Sequence, residues 1–128
     1  DGTINGRYGT VFTSGSNMTD TAFLANSGKK IIHKGSGTFT IQDFQPTAAD
    51  VGKHWTIINA STALIHVKLI FGTQYVRLMS GSTQYAIEDN WRIGRSGVVE
   101  LVCVNNAANG GTQSNPNFIL YGNNLDTE

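Results

Sequence analysis

Between Leu64 and Phe71 the chain places Ile65, Val67, Leu69 and Phe71 on one parity, and His66 and Lys68 on the other. An apolar residue at every second position builds one face of a β-strand, whose side chains alternate between faces, and does not build a helical stripe. The rhythm recurs at Phe39 and Ile41, and again at Trp55 and Ile57, which stand opposed to Thr56 and Ile58. Val98 to Val104 is the most hydrophobic run. Gly35-Ser36-Gly37, Gly72-Thr73, Ser80-Gly81-Ser82 and Gly94 to Gly97 interrupt these runs with residues that suit tight turns. Short strands with turn signals roughly every 8–12 residues predict an all-β fold, an antiparallel β-sandwich or jelly roll of about 8–9 strands. Two helical turns are expected beside the strands. One runs through Ala22 to Ala25 and is capped by Thr19-Asp20-Thr21; the other covers Thr47 to Asp50 and ends at Gly52.

A chain of 128 residues suits one domain whose core needs neither disulfides nor a metal. Charged residues make up 14%, below the usual ~25%, and Gly, Asn, Thr and Ser fill the gap. That composition disfavours long helices and suits strands joined by turns. Residues 1–28 are polar and Gly-rich, with too few periodic apolar positions for a core of their own. They read as an extended N-terminal arm, with one short strand at Thr10 to Thr13, and residues 29–128 as the sandwich domain. Tyr8, Val11, Phe12, Phe23 and Leu24 are then the candidate interface residues, since the arm offers them no local core.

Nine basic and nine acidic side chains cancel, and no run of Lys or Arg exceeds two. This argues against nucleic acid and anionic lipid as partners. No stretch reaches the ~20 apolar residues of a membrane span. Cys103 is the single cysteine and lies in an apolar run, as a small buried hydrophobe does. His33, His54 and His66 have no metal-ligand spacing, and no catalytic residue, metal or cofactor is expected. Glu88-Asp89-Asn90 is the one acidic cluster, within reach of Arg92 and Arg95; it lacks the spacing of a calcium loop. An enzyme such as a glycan depolymerase would need two carboxyl groups flanking a sugar; Glu88 and Asp89 are one candidate pair among nine acidic residues, and no local motif points to such a pair. Tyr75, Tyr85 and Trp91 are candidate ligand contacts, because aromatic faces stack on sugars.

Gly28-Lys29-Lys30-Ile31, Phe39-Thr40-Ile41, Pro46, Val51-Gly52, Trp55-Thr56-Ile57-Ile58-Asn59 and Ile65-His66-Val67 follow one another in a recognisable order. Val99-Glu100-Leu101-Val102-Cys103-Val104 and Phe118-Ile119-Leu120-Tyr121-Gly122 complete it. From Lys29 onward this order resembles a β-module of phage tail-fibre, spike and head-decoration proteins. Phe118 stands where that pattern closes on Trp, and the loop from Ala107 to Pro116 is longer than the pattern. The resemblance implies a non-enzymatic structural protein on the virion surface: a capsid decoration (cement) protein or a fibre or spike domain. It implies a homotrimer bound to other capsid or tail proteins by shape and strand addition. The alternative is a module that binds carbohydrate, such as a host-surface glycan, or another host receptor.

Overall fold

The computed structural model of the protein describes residues 9–42, 45–71, 74–79, 84–85, 90–106, 111–112 and 114–127. Six strands come first: β1 (Thr10–Thr13), β2 (Asn17–Met18), β3 (Lys30–His33), β4 (Phe39–Ile41), β5 (His54–Asn59) and β6 (Val67–Leu69). The other six are β7 (Val76–Leu78), β8 (Gln84–Tyr85), β9 (Trp91–Ile93), β10 (Val98–Cys103), β11 (Phe118–Gly122) and β12 (Leu125–Thr127). They form two sheets, one of seven strands in the order β1-β3-β5-β10-β11-β7-β8 and one of five in the order β12-β9-β6-β4-β2. The expected all-β sandwich is the architecture found.

Strand direction departs from the antiparallel expectation. From β1 to β6 the chain alternates between layers, so odd-numbered strands stack side by side in one sheet and even-numbered strands in the other. Successive strands within each layer are therefore parallel: β1 with β3, β3 with β5, β2 with β4 and β4 with β6. Parallel neighbours need a crossover, and here a strand of the opposite layer provides it where α/β folds use a helix. The chain is wound like a short solenoid, each winding contributing one strand to each layer. After β6 the winding stops. β10 returns antiparallel to β5, β11 antiparallel to β10, and β9 antiparallel to β6.

The core lies between the layers. Inward positions of the seven-stranded sheet put Val11, Ile31, Ile57 and Val99 in one row, and Trp55, Leu101, Leu120 and Leu78 in another. The five-stranded sheet answers with Phe39, Val67 and Ile93 in register, and with Met18, Ile41, Leu69 and Trp91. The strands stay in step because a slip of one residue would turn each of these side chains to water.

The described part of the segment before Lys29, residues 9–28, is not an extended arm. It supplies β1 and β2, one to each layer, and then the helix α1 (Asp20–Ala25). Thr19 caps α1, its hydroxyl accepting from the Ala22 N–H at 3.2 Å. Phe23 is fully buried and stacks on Trp55 with ring centroids 4.1 Å apart, while the Trp55 indole N–H donates to the Phe23 carbonyl at 2.7 Å. Val11 and Leu24 pack against the same core. The apolar residues of this segment looked unpartnered because their partners lie far downstream, Ile31 beside Val11 and Trp55 beside Phe23, and no local periodicity reports such a contact.

The second helical turn forms as a 3-10 segment at Ala48–Asp50. The chain leaves it through Gly52, whose φ of +97° suits a residue with no Cβ. Gly122 has a sharper reason to be glycine. With φ at +153°, a Cβ there would lie 2.3 Å from the Val98 carbonyl oxygen of the neighbouring strand.

Candidate contact surface

Most of the buried polar side chains serve the backbone. His33, fully buried at the end of β3, meets the Thr13 hydroxyl at 3.0 Å through Nδ1 and the Gly37 carbonyl at 2.8 Å through Nε2, with Phe39 stacked on its ring. Asn59 donates to the carbonyls of Ile65 (3.0 Å) and Ile93 (2.8 Å), tying the two layers together. Asn117 accepts from the Tyr75 N–H at 3.1 Å and donates to the Asn106 carbonyl at 3.1 Å, anchoring the loop before β11. Asp50 accepts from the Thr47 N–H at 2.8 Å and from Lys53 Nζ at 2.7 Å. Burial alone would raise its pKa; the Lys53 ammonium and the Thr47 donors outweigh that and hold it below the ordinary value. Burial pushes the Cys103 thiol up to about 11, so it stays protonated and inert at neutral pH.

The aromatic residues expected to meet a ligand do not form one platform. Trp91 is buried, facing inward on β9 in register with Leu69, so it is a core anchor and has no face to offer a sugar. Tyr75 is half-buried just before β7, in the opposite layer. The side chain of Tyr85 lies outside the described residues, as do Tyr8, Glu88 and Asp89. Arg92 makes a two-point ion pair with Asp126 across β9 and β12, at 3.1 and 3.0 Å. Among the described residues, no group of three His, Cys, Asp or Glu converges as metal ligands. A shallow pocket of about 80 Å³ between His66, Gly94, Asn124, Leu125 and Asp126 has room for little more than water. No described helix is long and apolar enough to cross a membrane.

The outer face of the seven-stranded sheet is the feature that the sequence reading missed. Ladder register places Phe12, Ile32, Ile58 and Val98 side by side across four strands, all pointing away from the core. Phe12 is 64% exposed and Val98 41%. A neighbouring row reads Thr10, Lys30, Thr56, Glu100, Tyr121, across β1, β3, β5, β10 and β11. A third brings Val102 between His54 and Ile119. Within the middle row the Thr56 hydroxyl donates to both carboxylate oxygens of Glu100, at 2.5 and 2.6 Å. Of the five residues expected at an interface, Phe12 alone stands out into solvent among those described. The signal for the rest was the doubled pairs Ile31-Ile32, Ile57-Ile58 and Val98-Val99. An apolar residue on both parities marks a strand apolar on both faces.

No family model, curated protein or solved structure matches this chain. A reading of its function accordingly stands on its own residues and on the sequence resemblance.

Proposed function

We propose that this chain is a non-catalytic contact module of a virion surface, a decoration protein or a fibre or spike domain. The outer face of its seven-stranded sheet is the surface that meets its neighbours. The observation that carries the reading is the row Phe12, Ile32, Ile58, Val98, in register over four strands on a face directed away from the core. An aliphatic row beside a short polar row is what a protein–protein contact needs, with apolar area for affinity and a few polar groups to fix register. The buried polar groups add support, since His33, Asp50, Asn59 and Asn117 are occupied in holding turns and layers. The virion setting rests on the order of sequence segments from Lys29 onward.

The test is the composition of gradient-purified particles from cells that produce the virus. The expected result is the chain at a fixed copy number per particle, with incorporation lost when Ile32 and Ile58 are both changed to Thr, a substitution that keeps strand preference. A chain missing from the particles overturns the virion setting. Normal incorporation of the double variant overturns the choice of face.

A further inference from the structure

We infer that the outer face of the seven-stranded sheet pairs with the same face of a second copy, about a two-fold axis running roughly along β5. The inference rests on the contact-module reading and names the first partner. Its basis is the order of charge in the middle row. Lys30, Thr56 and Glu100 lie on the adjacent strands β3, β5 and β10, in direct register. The cation and the carboxylate are thus one strand to either side of Thr56.

A two-fold axis above β5 in the plane between the two faces keeps each row at its own height and reverses its order. Thr56 then meets its own copy, and each Lys30 stands opposite the partner's Glu100. Thr10 faces the partner's Tyr121. The same operation applied to the aliphatic row sets Ile58 against the partner's Ile58, and Ile32 against the partner's Val98. The polar row, and the aliphatic row over its three positions on β3, β5 and β10, are self-complementary about one axis, which is what an isologous dimer requires. A three-fold arrangement gives this face no such match, because three copies cannot stack the same flat sheet in pairs. Face-to-face packing of twisted sheets at a small angle is itself a common solution.

Size sets the strength. Five strands at ~4.8 Å spacing and about five residues at ~3.3 Å rise give a flat footprint of roughly 400 Å² per copy. That is at the low end of specific interfaces, so the dimer is a reversible one, expected to form between about 10 µM and 1 mM.

The test is sedimentation velocity of the full chain over that range, with circular dichroism confirming the fold of each variant. The natural chain is expected to shift from monomer to dimer. Lys30→Glu alone puts two carboxylates in opposition at both contacts, and Glu100→Lys alone puts two ammonium groups there. Each is expected to weaken self-association by more than about tenfold. An equimolar mixture of the two variants restores opposite charges at both contacts, and association is expected to return. A natural chain that stays monomeric overturns the dimer while leaving the particle experiment free to support the contact-module reading. A trimer overturns it as well. Single variants that associate normally, or a mixture that fails to recover, overturn the register.

Discussion

The two outer faces of this sandwich differ in a way that their similar construction does not require. Both layers are mixed sheets, and both turn one parity of side chains inward. Yet across the five-stranded sheet an outward row reads Asn17, Thr40, Lys68, Arg92, Asp126, while the seven-stranded sheet carries, beside its polar row from Thr10 to Tyr121, the apolar row Phe12, Ile32, Ile58, Val98. The first is the usual arrangement for a strand face in water, with the Arg92–Asp126 pair closing its end. The second leaves aliphatic area exposed although β-sheet stability does not call for it, since Thr serves as well at a solvated strand position. Stability explains the inner faces of both layers. Contact with another surface explains the one outer face that departs from polar alternation.

That contrast depends on the layers sharing one inner face, and the largest expected effect tests this. Trp55→Ala removes the ring stacked on Phe23 and leaves the Phe23 carbonyl without its indole donor. Unfolding free energy measured in urea should fall by about 3–5 kcal/mol. A loss under about 1 kcal/mol would mean that α1 is not docked on the core, and the inward–outward division of β5 would go with it.

A smaller effect concerns the loop that leads into β5. Asp50→Asn removes the charge that Lys53 and Thr47 hold in place, and should cost about 1–2 kcal/mol at neutral pH. The sign with pH follows from linkage. The folded carboxyl titrates below its unfolded value of 3.8, so its contribution is complete above that value and is lost as pH falls through the folded pKa. The melting temperatures of natural chain and variant should therefore differ at pH 7 and draw together as the pH falls below 3.8. A difference that widens on acidification would show that Asp50 is not held as an anion.

How legible all this was in the sequence depended on distance along the chain. The rhythm of Phe39 and Ile41, of Trp55 and Ile57, and of Ile65 to Phe71 announced strands, and Thr19 and Gly52 marked the two helical turns, because these signals are local. Parallel winding was hidden, since the register of Thr10 to Lys30 and Lys30 to Thr56 is set by packing of strands about 20 or more residues apart. The same distance concealed the burial of Phe23 under Trp55. The contact face was half visible: Ile31-Ile32, Ile57-Ile58 and Val98-Val99 stand in the sequence, but only the register shows that Ile32, Ile58 and Val98 form one row.

The smallest expected effects sharpen the contrast between the outer faces most directly, because they leave the core alone. Asp126→Asn breaks an ion pair in which Asp126 is exposed, and such pairs contribute about 0.2–1 kcal/mol that salt screens away. Ile58→Thr on the other face should also move stability by less than about 1 kcal/mol, since the side chain is half-buried and Thr keeps the strand preference. The two should part company on a hydrophobic-interaction column. Ile58→Thr should elute earlier than the natural chain, because it interrupts the aliphatic row at its centre. Asp126→Asn should elute close to it, because the Lys68–Arg92 side of the sandwich presents little apolar area to lose. Equal retention of Ile58→Thr and the natural chain would mean that the row is not what the surrounding water meets. The seven-stranded sheet would then have no claim to be the binding side.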